Sequence, residues 1–384
     1  MVGLCIGIVT VLVRPRRAPI WAGPVAAALV VVLATSDPAD SLRAVGDELG
    51  PLRDPLLVLF LAVPLAVALD ELGVFAALAA TFDGGRFLVG GLWVLATGVV
   101  IVFNLDAAVV LLTPLYVRIA HRHGHAAEAL AFQPALLACL ASGPLPVSNL
   151  TNLIVAERFD LGVTDFLRAM TLPTLAAVGV GYLAYRRTFP PTAPHLGVDD
   201  PVDRRALRLG VPVMATVLVG FTLGDAVSVP AWCVALGALA WVVALNRAVP
   251  WRHLPAGAVL RAGALGVLVA RATPHLGLDR LLAADGIGGN AAALGFGLVA
   301  ANATNNLPAV LAGADAVSAA DQVWPLLVGV NMGPVLVLTG SLSGLLWRDT
   351  ALRLGVPVSA GRYSAVGVKV GLPALVAAAL VVAL

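Results

Sequence analysis

Polar side chains that could bind a solute interrupt two apolar stretches, one in each half of the chain. The first interruption is Asn-Leu-Asp-Ala at 104–107, and the second is Asn-Leu-Pro-Ala at 306–309, directly after Asn305. Amides and carboxylates are costly in hydrocarbon unless they line a cavity. A matching interruption in each half therefore predicts a membrane transporter built from internal repeats, with its site near the bilayer midplane.

Of the two interruptions, which we call tips, only the first contains a carboxylate, that of Asp106. Alignment of Asn-Leu-Asp-Ala with Asn-Leu-Pro-Ala places Pro308 at the equivalent position of the second half. Removal from water favours the neutral form of a carboxyl group, so we assign proton coupling to Asp106. The amides of Asn104, Asn305 and Asn306 supply both donors and acceptors. Such tips suit a small neutral polyhydroxyl solute or a weakly charged ion, because they hold no arginine that would clamp a doubly charged anion.

Two further interruptions combine Gly-Pro pairs with hydroxyls and amides, near Gly143-Pro144 and Gly333-Pro334. Proline removes a backbone donor and breaks a helix, and broken helices expose backbone groups and helix termini to a substrate. An alternative stays open for hydroxyl groups here, since serine and threonine also join helices within membranes. The resulting candidates for substrate and ion binding are Asn104, Asp106, Ser148, Asn149, Thr151, Asn152, Asn305, Asn306, Thr339 and Ser341.

The elements that must position these residues are membrane helices. Hydrophobic residues make up 60% of the 384 positions and charged residues 12%, against about 45–50% and about 25% in soluble domains. We predict an all-α polytopic membrane protein with about 10 transmembrane helices. The predicted spans are 1–13, 18–35, 55–69, 127–157, 166–186, 209–223, 228–246, 256–276, 322–346 and 363–384.

Two apolar stretches fit poorly as spans, namely 87–117 and 287–313. After its polar tip the first has an arm of only about 11 residues, and the arm of the second is shorter still, so neither reaches across a bilayer. We predict two re-entrant hairpins, together with broken helices at 127–157 and 322–346.

Arginine positions set the predicted orientation, because positive residues favour the cytoplasmic side. Arg86 and Arg118 place both ends of the first hairpin inside, whereas Asp285 and Asp315 indicate that the second hairpin opens outward. The sequence thus predicts an inverted repeat. We treat 1–384 as a single transporter domain, with a first repeat region at 18–186, a cytoplasmic linker at 187–207 and a second repeat region at 208–384.

Two arginines fall within or beside the predicted span 256–276. We expect Arg261 to extend to the inner surface, as long basic side chains do near helix ends. Arg271 either pairs with an acid or lines the pathway. Elsewhere the arginines are scattered among short loops, which argues against nucleic acid as a partner.

The remaining reactive residues favour no chemistry beyond transport. Cys5, Cys139 and Cys233 show neither metal-ligand nor disulfide spacing. His121 and its neighbours read as a solvated basic loop. Because no nucleophile, base or metal set lies at one depth, we expect no enzyme activity, no metal and no cofactor.

At the polar interruptions described above, the chain resembles the arsenical pump membrane proteins, which are arsenite/antimonite efflux permeases of a larger ion transporter superfamily. The similar segments are Leu-Asp-Glu-Leu-Gly-Val-Phe at 69–75, Asn-Leu-Asp-Ala-Ala at 104–108, Val-Ser-Asn-Leu-Thr-Asn at 147–152, Asn-Asn-Leu-Pro-Ala-Val-Leu at 305–311 and the Gly-Pro…Gly-Ser-Leu…Leu-Trp pattern at 333–347. The chain departs from the family where Leu105 replaces an Asp directly after Asn104, and where Val335 replaces a Lys.

The resemblance implies extrusion of As(OH)3 or Sb(OH)3 in exchange for protons, across a bacterial cytoplasmic (inner) membrane. It also implies, in some systems, a soluble ATPase subunit on the cytoplasmic face. The expected partners are thus a small inorganic solute, coupling protons and the lipid bilayer, with an ATPase subunit and a second copy of the chain in a homodimer as further candidates. The alternative function is a sodium- or proton-coupled transporter of another ion or a small carboxylate.

Overall fold

The computed structural model describes residues 2–13, 19, 21–34, 38–81, 87–190, 202–224, 227–317 and 320–383. Every regular element within these ranges is a helix. Arg86 and most of the predicted linker 187–207 lie outside the described residues, so the division into repeat regions stays a prediction.

Twenty α-helices are numbered here within the described ranges. In chain order they are α1 (Val2–Val13), α2 (Ala22–Leu33), α3 (Pro38–Leu49), α4 (Arg53–Glu71), α5 (Val74–Ala80), α6 (Leu88–Phe103), α7 (Leu105–His123), α8 (Ala127–Leu140), α9 (Leu150–Phe159), α10 (Val163–Thr188), α11 (Arg204–Leu223), α12 (Ala231–Asn246), α13 (Ala256–Ala272), α14 (Leu278–Leu281), α15 (Gly286–Thr304), α16 (Asn306–Ala316), α17 (Val323–Met332), α18 (Leu342–Arg353), α19 (Ala360–Val366) and α20 (Leu372–Val382).

Five helical segments among the described residues are long and apolar enough to cross a membrane. They are Arg43–Glu71, Val163–Thr188, Arg204–Leu223, Trp251–His275 and Ala360–Val382. Shorter apolar helices are also present, including α6, α8 and α12. The predicted class, an all-α polytopic membrane protein, is confirmed.

The same order of elements occurs twice. A helix pair with a one-residue break (α6 and α7) is followed by an interrupted helix (α8 and α9) and a long helix (α10). In the second half α15 and α16 form the pair, α17 and α18 the interrupted helix, and α19 and α20 the long helix, joined by a π-helical turn at Gly367–Gly371. The structure therefore contains both predicted helix breaks.

The first helix pair is longer than the sequence predicted. Helix α7 runs for 19 residues to His123, so its arm exceeds the expected 11 residues, and His121 lies in the last turn of a helix instead of in a loop. The final turn carries exposed basic residues, which a helix tolerates at its C-terminus because they complement its dipole. That each pair returns to the face from which it entered stays a prediction.

Glycine allows the second helix pair to lie directly against its broken helix. A Cβ atom at Gly329 of α17 would meet backbone atoms of Leu294 and Leu298 in α15, the latter at 2.8 Å. A Cβ atom at Gly297 of α15 would lie 2.7 Å from the carbonyl oxygen of Leu326. Close backbone approach of this kind is typical of packed membrane helices, and it fixes α15 relative to the break that follows α17.

Aromatic side chains fix the outer part of α18. Trp347 is fully buried and donates from its indole nitrogen to the carbonyl oxygen of Ala131, at 2.7 Å. Its ring lies 4.6 Å from that of Phe132 and 5.6 Å from that of Tyr363. These contacts join α8, α18 and α19 at the middle of α18, one turn after the end of the helix where the candidate site lies.

Candidate functional site

Each helix pair turns at an asparagine in an unusual backbone conformation. Asn104 has φ 88° and Asn305 has φ 131°, values that residues other than glycine rarely adopt. The Asn104 side chain accepts a hydrogen bond from the backbone N–H of Asp106 at 2.9 Å, and Asn305 does the same for Leu307 at 3.4 Å. Both asparagines therefore end one helix and cap the next.

The two tips match in a different register from the one that the motifs suggested. The motif alignment paired Asn104 with Asn306, but the structural counterpart of Asn104 is Asn305. The counterpart of Asp106 is consequently Leu307 and not Pro308. The motif alignment is wrong by one residue because the backbone conformation at the break, and not the shared Leu-x-Ala letters, defines equivalence.

The two broken helices resume at equivalent caps. Asn149 begins α9 and Ser341 begins α18, both from extended backbone. The Asn149 side chain accepts from the N–H of Thr151 at 3.2 Å, and the Ser341 hydroxyl accepts from the N–H of Gly344 at 3.1 Å. The two segments before these caps form short 3-10 turns at Pro146–Ser148 and Leu338–Gly340.

Asn331 joins the broken helices of the two halves. Its side-chain oxygen accepts from the amide of Asn149 at 3.0 Å and from the hydroxyl of Thr151 at 2.6 Å. Its amide nitrogen donates to the side-chain oxygen of Asn152 at 2.7 Å. Asn152 in turn donates to the carbonyl oxygens of Ser142 and Leu145, at 2.8 and 3.0 Å. This buried network satisfies most of the polar atoms in the first break.

Three more of the predicted ligands, Ser148, Ser341 and Asn305, also have protein partners. The hydroxyl of Ser148 donates to the backbone carbonyls of Leu145 and Ser142, and the Ser341 hydroxyl lies 2.8 Å from that of Ser343. The amide of Asn305 donates to the carbonyl oxygen of Thr339 at 3.2 Å, while Asn306 is buried at the start of α16. Thr151 thus joins two elements through Asn331, as the alternative interpretation allowed, whereas Ser341 bonds to Ser343 and Gly344 at the start of its own helix.

The helices interlock between halves at this point. Helix α7, which begins at the first tip, packs against α18, and α16, which begins at the second tip, packs against α9. Each second arm therefore contacts the broken helix of the other half. This exchange brings Asp106 beside Leu342, the first residue of α18.

A cavity of about 470 Å³ lies at the first tip. Asp106 and Val110 line it from α7, and Leu342 lines it from α18. The remaining walls come from α4, from α13 and from the exposed turn at Trp251–His253. One side-chain oxygen of Asp106 is buried and has no hydrogen-bond partner among the described residues. Asp106 is the predicted site residue that the structure places in the wall of this cavity.

Arg261 lines the same cavity, which the sequence analysis did not anticipate. Its side chain does not extend to the surface, because the residue is only 5% exposed. Its Nε and one terminal nitrogen are buried and have no hydrogen-bond partner in the described part of the chain. The expected extension to the inner surface is therefore wrong. Arg271, in the last turn of the same helix, pairs with an acid, because its Nε lies 2.9 Å from a carboxylate oxygen of Glu48.

A second cavity, of about 260 Å³, lies beside the break in the first half and is lined by other residues than the first cavity. Pro146 and Val147 of the 3-10 turn line it, with carboxylates from Asp54 and Glu157. Helix α4 borders both cavities, with residues 54–58 at the second and residues 59–67 at the first.

Two residues of the site were missed as candidates, for different reasons. Asn331 lies directly before Met332-Gly333-Pro334, so the sequence already placed it at a predicted helix break. The residues to which its side chain bonds could not be read from the sequence. Arg261 carries no such signal, since a single arginine in an apolar helix fits a surface position equally well. Within the described residues no group of three potential ligands could hold a metal ion.

Paired helices with broken tips, facing broken helices of the opposite half inside an apolar helical chain, define a membrane transporter built from internal repeats. The chain belongs to the arsenical pump membrane protein (ArsB) family, whose sequence profile matches residues 4–384.

Curated relatives and a solved structure agree with this assignment. The arsenical pump membrane protein of Yersinia enterocolitica is 30% identical over 362 residues, which cover 82% of this chain and 83% of the relative. The protein of that name from Escherichia coli K12 is 29% identical over 360 residues, with the same coverage. The crystal structure of the Alcanivorax borkumensis YdaH transporter superposes with a TM-score of 0.59 at 15% identity, over 91% of this chain and 89% of that one. This last similarity concerns the fold alone.

Proposed function

We propose that this protein is a secondary active transporter that extrudes arsenite and antimonite in exchange for protons. The family carries arsenical pumps by name, and the named relatives come from bacteria. We place the protein in the bacterial cytoplasmic membrane for the same reason. A cytoplasmic ATPase subunit and a homodimer stay predictions that rest on the resemblance.

The observation that carries the proposal is the position of Asp106. A carboxylate oxygen that has no partner in the described part of the chain lies in the wall of a cavity at a helix break. Such a group accepts either a proton or hydrogen bonds from the hydroxyls of a solute. In this proposal Asp106 carries the coupling proton.

The amides of the breaks then hold the site together instead of contacting the solute. Asn149, Asn152 and Asn331 already bond to one another. Because a half-satisfied buried network is costly, withdrawing these amides to coordinate a solute would have to break those bonds. Their proposed role is to fix the half-helices that border the cavity.

Alternating access has a structural basis in the two cavities beside α4. The cavity at Asp106 is lined by Arg252 and His253, which are exposed. We assign this turn to the cytoplasmic side because Arg247 and Arg252 lie close together there, and positive residues favour that side. The cavity at Pro146 is lined by Asp54 and borders the other part of α4. We propose that solute enters through the first and leaves through the second when the tips move relative to the broken helices.

One observation favours the second candidate function, a sodium- or proton-coupled carrier of another ion or a small carboxylate. Arg261 places a positive charge in the cavity, and guanidinium groups bind carboxylates in pairs of hydrogen bonds. Asp106 weighs against a simple anion as substrate, because its carboxylate would repel an anion that Arg261 attracts.

Everted membrane vesicles test the proposal. Arsenite uptake is measured with an imposed proton gradient, with an imposed sodium gradient, and with each gradient collapsed by an ionophore. The proposal predicts arsenite accumulation that follows the proton gradient only, and none in vesicles from cells without the protein. Accumulation of radiolabelled succinate in place of arsenite, or dependence on sodium, would move the assignment to the second candidate.

A further inference from the structure

Two opposite charges line the cavity at the first tip without pairing. Asp106 lies at the start of α7 and Arg261 lies in the middle of α13. They interact electrostatically across the cavity, yet no ion pair between them occurs among the described residues. Each has buried polar atoms with no partner, namely one oxygen of Asp106 and two nitrogens of Arg261.

Unused donors on a buried guanidinium need an explanation. Arginine keeps its charge in proteins and carries five N–H donors, and leaving a buried charged group unpaired is strongly destabilising. A packed structure would be expected to bring Asp106 against it. The pair instead stays apart around a cavity of about 470 Å³, whereas a water molecule in the liquid occupies about 30 Å³. The space therefore accommodates a small molecule with its hydration.

We propose that Arg261 and Asp106 together form the binding site for a small hydroxylated inorganic acid. The guanidinium donates hydrogen bonds to the oxygens of the solute, and the carboxylate accepts hydrogen bonds from its hydroxyls. This inference rests on the proposed function and adds a residue, Arg261, that neither the sequence motifs nor the comparisons assign.

The charges select the chemical class of the solute. A simple cation would be repelled by Arg261, and a simple anion would be repelled by Asp106. A neutral trihydroxide is repelled by neither, and it offers both oxygen acceptors and O–H donors to the two side chains. The apolar walls at Leu59, Val63 and Leu342 lower the local dielectric and so strengthen these hydrogen bonds.

The same geometry makes solute and proton compete. A deprotonated Asp106 accepts hydrogen bonds from hydroxyls, whereas a protonated one has used part of that capacity. Proton uptake from the opposite side therefore releases the solute from Asp106, and Arg261 alone holds it less tightly. Exchange then follows from alternate occupation of one carboxylate. Arg261, Arg252 and His253 line the same cavity as Asp106, and the thiol of Cys139 in α8 interacts with Asp106 electrostatically.

Calorimetric titration of arsenite into the purified full-length protein in detergent tests the binding role. In Arg261→Gln the hydrogen bonds from the charged guanidinium to the solute are lost, so arsenite should bind about 10- to 100-fold more weakly. Arg261→Lys keeps the charge but loses the planar fork, so it should bind less tightly than the wild type and more tightly than Arg261→Gln. The matched control is Arg271→Gln, which removes the same charge from the same helix at a position already paired with Glu48.

Titrations at several pH values test the competition. Wild-type affinity should fall with falling pH, by up to about tenfold per pH unit for a single competing proton, and Asp106→Asn should abolish that dependence. A dependence that survives in Asp106→Asn would assign it to His253 or another facing group and overturn the competition.

The outcomes separate this inference from the proposed function. If the wild type neither binds nor transports arsenite, the proposed function fails. If it does both, and a folded, monodisperse Arg261→Gln binds arsenite as tightly as Arg271→Gln does, this inference alone is overturned. Should Arg261→Gln not fold, Arg261→Lys decides in its place, because wild-type affinity in that variant overturns the inference and weaker binding supports it.

Discussion

The side-chain amides of Asn152 and Asn331 are joined by a hydrogen bond of 2.7 Å, which links the broken helix of the first half to that of the second. Asn152 follows the first break, and Asn331 ends α17 just before the second. The relative position of the two breaks, and hence the shape of the site, depends on this contact and on the bonds from Asn149 and Thr151 to the same residue.

Asn331→Ala should lower the free energy of unfolding by about 1–3 kcal/mol, since it leaves the polar partners of Asn331 buried and unpaired. Thermal unfolding in detergent measures the effect. The matched control is Asn290→Ala in α15, because the side-chain oxygen of Asn290 is buried and has no hydrogen-bond partner among the residues that the structure describes. Equal stability loss in the two variants would contradict a role for Asn331 in joining the halves.

Replacing Asn305 should reveal the strain at the second tip. Both Asn305→Ala and Asn305→Gly lose the helix cap, but only glycine adopts φ 131° without strain. Strain of this kind is worth about 1–3 kcal/mol, against about 0.4–1 kcal/mol that alanine gains from a less flexible unfolded chain. We therefore expect the glycine variant to have the higher unfolding temperature.

Asn149 supplies the control for this comparison. It also caps a helix, but its φ of −149° is ordinary extended backbone. Glycine is preferred over alanine at a helix N-cap, so it should be the better replacement at both positions. Because only Asn305 adds backbone strain, the advantage of glycine over alanine should be larger at Asn305 than at Asn149, by about 1–3 kcal/mol. An equal advantage at the two positions would show that the backbone at Asn305 is not strained.

Gly329→Ala should destabilise the protein by about 1–3 kcal/mol, because the added methyl group overlaps the backbone of α15. Gly295→Ala in α15 is the control, since a Cβ atom there has no neighbour within 4 Å. Thermal unfolding of both variants in one detergent gives the comparison. A Gly329→Ala variant as stable as Gly295→Ala would mean that α15 and α17 do not pack in direct contact.

Thiol labelling tests the predicted orientation. In a background with Cys5→Ser and Cys233→Ser, a membrane-impermeant maleimide should label Trp251→Cys in everted vesicles but not in intact cells. Trp251 is 70% exposed and adjoins Arg252, at the end assigned to the cytoplasm. Leu281→Cys should show the opposite pattern, because Leu281 is exposed in α14, which follows α13 along the chain, and lies close in sequence to Asp285 at the end that we assign to the outside. Labelling of both variants from the same side would contradict the arrangement.

The helix breaks were predictable from the sequence because proline, glycine and asparagine act locally on the backbone. Gly143-Pro144 and Gly333-Pro334 marked the interruptions after α8 and α17, and Asn104 marked the first tip. The apolar composition similarly determined the helical membrane class. These features depend on neighbouring residues along the chain, which a single sequence displays.

What the sequence did not reveal depends on contacts between distant elements. Helix α3 (Pro38–Leu49) was not predicted, because its polar residues resemble a loop when its packing against α13 is unknown. The register of the second tip depended on the backbone angle of Asn305. Arg261 became a candidate only when α13 was seen beside Asp106, since no local pattern separates a cavity arginine from a surface arginine.

The central claim is that Asp106 carries the proton that drives export, and one pair of measurements on everted vesicles tests it most directly. Arsenite uptake under a proton gradient is compared with arsenite exchange in the absence of any gradient, for the wild type and for Asp106→Asn. We expect the variant to lose gradient-driven accumulation and to keep exchange, because an asparagine oxygen still accepts hydrogen bonds but takes up no proton. Gradient-driven accumulation that survives in Asp106→Asn would contradict the claim.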